Sequence, residues 1–246
     1  MEQGSQEWLS ARAGKITASR MSDVISCMSP KSALCLIEHG GIAKVLGNGA
    51  QAIKEAARLT AEGKRVEQAV YEYPRSESFE RYAYEIATEI LIEGPLATVK
   101  TKAMEKGTER EQMARSAYEI ETGNIVQQVG FIEYKRNRMV GASPDGLVLD
   151  DGGIEIKCPE PLKHTMTLLY GMPKDHIAQV QAGMMVTGRM WWDFVSFCPE
   201  HKRFPFYVER VARDDLLISQ MAIRCKELEE RAIEHVMQIA KLRTVN

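Results

Sequence analysis

No stretch of about eighteen apolar residues occurs in this 246-residue chain, which excludes an ordinary transmembrane helix. The opening Met1-Glu-Gln-Gly-Ser-Gln-Glu7 lacks the basic and apolar regions of a secretory signal, so the expected location is the cytoplasm. The five cysteines (Cys27, Cys35, Cys158, Cys198, Cys225) contain no Cys-x-x-Cys pair, which argues against a zinc ribbon or an iron–sulfur cluster. Their odd number and wide spacing also argue against a disulfide framework, leaving reduced and mostly buried thiols as the expectation. The five histidines (His39, His164, His176, His201, His235) show no metal-ligand spacing and no His-Asn-His pattern. Nor is there an excess of positive charge: 32 basic side chains face 34 acidic ones. A generic nucleic-acid-coating protein is thereby excluded, because such binding draws mainly on phosphate contacts. Any DNA binding must concentrate its cations on one surface. Lys135-Arg136-Asn137-Arg138 and Lys64-Arg65 could contribute, although short runs of this kind are commonly solvated faces.

What is present fits a cytosolic globular protein. The hydrophobic content of 44% supports a substantial core, and the length suits one large domain over 1–246. Repeats and low-complexity segments are absent. A short helix is expected around Trp8, followed by a helix over Thr17–Ile25 capped by Thr17. Residues 49–93, rich in Ala, Glu, Lys and Arg, read as two or three helices broken near Pro74 and ended by Gly94-Pro95. A further helix spans about 101–121, so the part over about 1–123 reads as helical. Strands are expected at 125–135, 139–143, 147–149 and 154–158, with Asp150-Asp151-Gly152-Gly153 as a hairpin turn. Two helices (161–170, 174–187), two strands (190–197, 205–211) and a long terminal helix over about 213–243 complete the chain. Helices around a small mixed sheet over about 124–212, without regular βα alternation, indicate an α+β fold.

The informative stretch is Ser143-Pro-Asp-Gly-Leu-Val-Leu-Asp-Asp-Gly-Gly-Ile-Glu-Ile-Lys-Cys158. Glu155 and Lys157 alternate on a strand and share a face, with Ile154, Ile156 and Cys158 on the other. A tight turn brings Asp145, at the start of the preceding strand, beside Glu155. Two carboxylates can hold Mg²⁺, a hard cation that prefers oxygen donors. A lysine beside them can orient a nucleophile and offset charge developing on a phosphodiester. By themselves, Glu-x-Lys on an exposed strand and Asp-Gly in a turn are also common structural features.

Ser143-Pro-Asp-Gly-Leu147 followed by Ile154-Glu-Ile-Lys-Cys-Pro159 resembles the YqaJ-type viral recombinase nucleases, the family of lambda exonuclease and a branch of the PD-(D/E)xK nucleases. Three further motifs carry the resemblance in the same order. They are Trp8-x-x-x-Arg12 with Ile16-Thr-Ala-Ser19, Gly107-x-x-x-Glu111-x-x-Ala-Arg115, and Ala178-Gln-Val-Gln181 with Val186-Thr187. Together the four span about residues 8–187, while 28–75 and the terminal helix carry no resemblance.

The resemblance implies a restriction-endonuclease-like core and a Mg²⁺-dependent 5′→3′ double-strand DNA exonuclease with two ions per site, Mn²⁺ serving as a substitute. It implies catalytic roles for Asp145, Glu155, Lys157, Glu111 and Gln179, and metal binding by Asp145, Glu155, the Ile156 carbonyl and, through water, Glu111. For Glu111 an ordinary helical pair with Arg115 is the competing reading, and Gln181 is left structural. Arg12, Ser19 and Ser143 match the family's pocket for a 5′-terminal phosphate, whereas Trp8 reads as core packing. Met104 matches an apolar wedge against the terminal base pairs, or is simply a core methionine. The resemblance further implies linear duplex DNA with 5′-phosphate ends as substrate, mononucleotides and 3′ overhangs as products, a homotrimeric ring, a single-strand annealing protein as partner, and a bacterial host cytoplasm. A structure-specific endonuclease of the same fold, and a non-catalytic DNA-end-binding accessory protein, are the rival readings.

Overall fold

The structure is a computed structural model describing residues 3–26, 31–39, 41–72, 74–97 and 102–242, with side chains for all of these but 41, 70–72 and 102–108. The chain begins with α1 (Gln6–Arg12), β1 (Ile16–Thr17), a 3₁₀ turn (Ala18–Arg20) and α2 (Met21–Ile25). Next come β2 (Lys31–Glu38), β3 (Gly41–Gly47), α3 (Ala50–Ala61), β4 (Arg65–Glu72), α4 (Glu77–Leu91) and α5 (Lys102–Thr122). The strands β5 (Val126–Gln127), β6 (Ile132–Tyr134), β7 (Asn137–Ala142), β8 (Gly146–Val148) and β9 (Gly152–Lys157) follow. The chain ends with α6 (Pro161–Tyr170), α7 (Ile177–Thr187), β10 (Trp191–Phe197), β11 (Phe206–Ala212) and α8 (Asp215–Leu242). Among the described residues no helix is long and apolar enough to cross a membrane.

Where the sequence reads as one domain, contacts divide the chain into two compact units, Ser26–Glu80 and the remainder. The smaller unit corrects the expectation of a helical part over 1–123. It holds an antiparallel sheet in the order β3-β2-β4, with Ala33 and Cys35 of β2 buried and Ala52, Ala56 and Leu59 of α3 forming that helix's buried stripe. β4 is built from Arg65-Val-Glu-Gln-Ala-Val-Tyr-Glu72, a composition that favours helix, yet seven register pairs with β2 hold it extended. Tertiary pairing overrides local propensity there.

The larger unit carries a five-stranded mixed sheet, β11-β10-β9-β8-β5, in which only the β9–β10 pair is parallel. A second sheet, β1-β7-β6, runs into the first through Ser143-Pro144-Asp145 between β7 and β8. One face of the large sheet is dry. Ile154, Ile156, Val195 and Phe197 pack with Ala114 and Tyr118 of α5. Burial of side chains this size contributes roughly 1.5–3 kcal/mol each, which fixes strand register because a one-residue slip would expose the whole set. α7 covers the opposite face, its Gly183 lying against the Trp192 ring.

The β8–β9 hairpin turns at Leu149–Asp151, and Gly152 and Gly153 already belong to β9, two residues earlier than the sequence suggests. The reason is packing. A Cβ on Gly152 would lie 2.0 Å from the Trp191 ring, and one on Gly153 2.5 Å from the Trp192 ring. Leu149 instead takes the left-handed conformation at φ 49°, a position that glycine or asparagine fills more readily. Arg189 clasps this turn, donating to the carbonyls of Val148, Leu149 and Gly152 at 3.0, 2.8 and 2.6 Å. Thr17 does not cap a helix. It ends β1, its N–H donating to the Tyr82 hydroxyl at 2.9 Å. Cys35, Cys198 and Cys225 are buried free thiols, Cys158 is half-buried, and Cys27 lies outside the described residues.

Candidate active site

Strand alternation sends Glu155 and Lys157 to the face under α7, while Ile154 and Ile156 enter the core. Lys157 Nζ donates to Glu155 Oε1 at 2.5 Å and to Gln179 Oε1 at 3.4 Å. Gln179 Nε2 donates to the same Glu155 oxygen at 2.6 Å, so one glutamine of α7 ties acid and lysine together. Gln181, two residues on, points away and fastens the β11–α8 junction, donating to the Ala212 carbonyl and accepting from the Asp214 N–H.

Asp145 enters from the link just before β8, its Oδ2 accepting the Ile156 N–H at 2.6 Å. In an extended strand a residue's N–H and C=O point to the same side. The Ile156 carbonyl is therefore directed toward Asp145 as well. Glu111 completes the group from α5. It accepts from Arg115 Nη2 at 2.9 Å, the helical pair that the sequence offers as its ordinary role. Its charge nevertheless acts on Asp145, Glu155, Lys157 and Cys158, which places it at the same cluster.

The electrostatics are those of an acid-rich site. Burial pushes the Asp145 carboxyl well above its ordinary range, and repulsion from Glu155 and Glu111 adds to this. Burial likewise raises Glu155, against the opposing pull of Lys157. Glu111 is raised by burial too. Burial acts to lower Lys157, but the surrounding carboxylates, Glu155 foremost, hold its pKa up and keep the ammonium charged. The Cys158 thiol is pushed up to about 11 by burial and by Glu111, so it stays protonated and inert.

Among the described residues no three His, Cys, Asp or Glu side chains enclose a metal on their own. The donors that do converge are the buried Glu155 carboxylate, the half-buried Asp145 carboxylate and a backbone carbonyl. Hard oxygens of this kind, leaving room for water, fit Mg²⁺ or Mn²⁺ rather than zinc.

A second constellation stands beside the first. Arg12 at the end of α1 donates through Nη1 to Ser143 Oγ at 3.1 Å and through Nη2 to Ser19 Oγ at 3.3 Å. Trp8 Nε1 donates to the same Ser143 oxygen at 2.9 Å, and the indole lies under the guanidinium at 4.1 Å. Burial lowers the Arg12 pKa against the opposing influence of Tyr82 and Glu89, and among the described residues no carboxylate forms an ion pair with it. Two N–H donors already occupy Ser143 Oγ, so its own hydrogen is free to donate elsewhere.

A family model described as the YqaJ-like viral recombinase domain matches residues 7–190. The chain belongs to this family. Both constellations lie within the matched span. Comparison with curated protein sequences finds no match. Among solved structures, the chain is similar to an alkaline exonuclease, LHK-Exo, from Laribacter hongkongensis. The identity is 30%, the coverage 98% of each chain and the TM-score 0.71. LHK-Exo in complex with dAMP matches at 33% identity over 97% of this chain and 100% of that one, with a TM-score of 0.69. A phage-related exonuclease from Haemophilus somnus 129PT, at 16% identity, shares the fold, covering 92% of this chain and 96% of that one with a TM-score of 0.62. The fold is that of the PD-(D/E)xK nucleases.

Within this YqaJ-like domain the structure brings Asp145, Glu155, Ile156, Lys157, Glu111 and Gln179 into one cluster and Arg12, Ser19 and Ser143 into another. The Met104 side chain and the surroundings of Gly107 lie outside what is described. Trp8 departs from the sequence reading. Nothing in α1 is fully buried, and the indole braces Arg12 and Ser143 instead of filling the core. The four-residue spacing of Trp8 and Arg12 placed them on one helical face, but an isolated tryptophan gives no sign of what its N–H will meet.

Proposed function

We propose that this chain is a Mg²⁺-dependent 5′→3′ double-strand DNA exonuclease that releases 5′-mononucleotides and leaves 3′ single-stranded overhangs for recombination by strand annealing. The observation that carries the reading is that Ser143, bonded to Arg12, stands two residues from Asp145 on one stretch of chain. A seat suited to a terminal phosphate and a cluster suited to a metal thereby adjoin on one stretch of chain.

Arg12 grips the 5′-terminal phosphate, with Ser143 and Ser19 donating from the side. A terminal monoester carries close to two charges near neutral pH and a diester one, so an arginine fork gains more at an end than along the strand. Asp145, Glu155 and the Ile156 carbonyl would hold the two divalent ions, with Glu111 reaching them through water. Bound there, Mg²⁺ would supply activation of a water and charge neutralisation at the phosphoryl group. Lys157, kept charged and aimed by Glu155 and Gln179, orients the attacking water and stabilises the same developing charge. The relative solved with dAMP supports a 5′-mononucleotide product.

A homotrimeric ring would reconcile the net charge of −2 with DNA binding, because only its channel need be positive. A single-strand annealing protein would be the partner that acts on the 3′ overhang. The test uses linear duplex labelled at the 5′ or the 3′ end, beside covalently closed circles, with Mg²⁺ or EDTA. Rapid release of 5′ label as mononucleotide, with circles intact and EDTA abolishing release, is expected. Cutting of circles, or early release of 3′ label, contradicts the proposal.

A further inference from the structure

His176 takes no part in the clusters above, yet it lies next to them. It is the residue before α7, three positions ahead of Gln179, so the two side chains share one side of the helix. Its ring lies on Phe194, with centroids 5.3 Å apart and planes 24° apart. Phe194 is the register partner of Glu155, so its side chain is on the same sheet face as Glu155 and Lys157. One face of the imidazole is thus packed against the floor of the catalytic row, while the residue as a whole is only half-buried. Neither ring nitrogen has a hydrogen-bond partner among the described residues.

The chain ahead of His176 is also tied down. The Met172 N–H donates to Glu209 Oε2 at 2.8 Å, and Tyr207 braces the same oxygen at 2.7 Å, pinning the segment that leads into α7. Burial first, and then the Lys157 charge, lower the His176 pKa against the opposing influence of Asp175. The imidazole is therefore neutral near and above neutral pH, with one N–H to donate. It stands at the positive end of an 11-residue helix, where an anion is favoured. A stack on one face, an open edge, an unengaged donor and a lysine alongside fit a phosphate oxygen better than they fit packing alone.

We infer that His176 is a further substrate-contacting residue, its open edge donating a hydrogen bond to a non-bridging phosphate oxygen of the strand held over Lys157. This rests on the exonuclease reading for its substrate, but it can be tested by binding without cleavage. His176→Phe keeps an aromatic ring on Phe194 and removes the donor; His176→Ala removes both. Affinity for a 5′-phosphorylated linear duplex is measured in EDTA by fluorescence anisotropy, and KM and kcat are measured with Mg²⁺. The expected result is a loss of affinity and a rise in KM of roughly tenfold for both variants, the size of one hydrogen bond to a charged group. kcat should stay within about threefold of wild type. If His176→Phe binds duplex like wild type and only His176→Ala is impaired, the ring is a structural stack and the inference fails. Absence of nucleolysis by the wild type would overturn the exonuclease reading, while the anisotropy comparison would still decide the role of His176.

Discussion

Around Asp145 three carboxylates meet one lysine, and Arg115 is already engaged with Glu111. Around Arg12, among the described residues, one guanidinium bonds to hydroxyls and stacks on an indole, while the Glu89 charge acts on it without an ion pair. The first region holds more negative charge than its lysine offsets, the second a guanidinium bonded to no carboxylate among the described residues, and Ser143-Pro144-Asp145 joins them. A buried charge left without a partner is costly, so each region is held ready by a fold that is stable for other reasons. The dry face of the sheet against α5 and the clasp of Arg189 on the hairpin supply that stability. The acidic side fits a divalent metal, and the guanidinium side fits a phosphate terminus.

The comparison breaks most readily at the acidic side. Asp145→Asn and Lys157→Ala should each lower strand degradation by on the order of 10²–10³-fold, with circular dichroism unchanged. Full activity in either variant under saturating Mg²⁺ would remove these residues from the site. At the other side Arg12→Ala should lower the preference for 5′-phosphorylated over 5′-hydroxyl ends by about 10- to 100-fold, the loss of a charge-assisted contact. Digestion from hydroxyl ends should change little, and competition between the two substrates measures this.

Trp8→Phe separates the two duties of the indole. The ring remains under Arg12 while the N–H to Ser143 is lost, so a fall of only about two- to tenfold in the same preference is expected. A fall as large as that of Arg12→Ala would mean that the stacked ring, not the N–H, sets the pocket.

The smallest effect is thermodynamic. Burial and repulsion raise the Asp145 pKa, so the folded, metal-free protein favours the protonated acid. That contribution to stability is fully present below the ordinary carboxylate pKa and is lost as pH rises through the raised one. At neutral pH Asp145→Asn should therefore stabilise the metal-free protein, raising Tm by about 2–4 °C per kcal/mol relieved. Mg²⁺ should raise the Tm of wild type and not of the variant. Calorimetry with EDTA and with Mg²⁺ checks both signs.

The acidic region was the more legible of the two in the sequence. Glu155 and Lys157 lie two apart on a strand whose alternate residues are plainly apolar, and Asp-Gly followed by Gly-Gly announces a hairpin. The exact turn was hidden because Gly152 and Gly153 are glycine to admit the Trp191 and Trp192 rings, contacts some forty residues distant in sequence. The anion seat was less legible. Arg12, Ser19 and Ser143 are common residue types brought together from α1, the 3₁₀ turn and the β7–β8 link, and only family resemblance connects them. Residues 31–72 were the least readable. Their three strands depend on pairing with one another rather than on local preference, and β4 carries a helix-forming composition.

One measurement tests most directly whether the two regions serve a single strand. It is single-turnover release of the first nucleotide from linear duplexes that differ only in a 5′-phosphate or a 5′-hydroxyl, with Mg²⁺ and with EDTA. The account predicts release of a 5′-mononucleotide only with Mg²⁺, and faster from the phosphorylated end. Release in EDTA, or equal rates from the two ends, would contradict it.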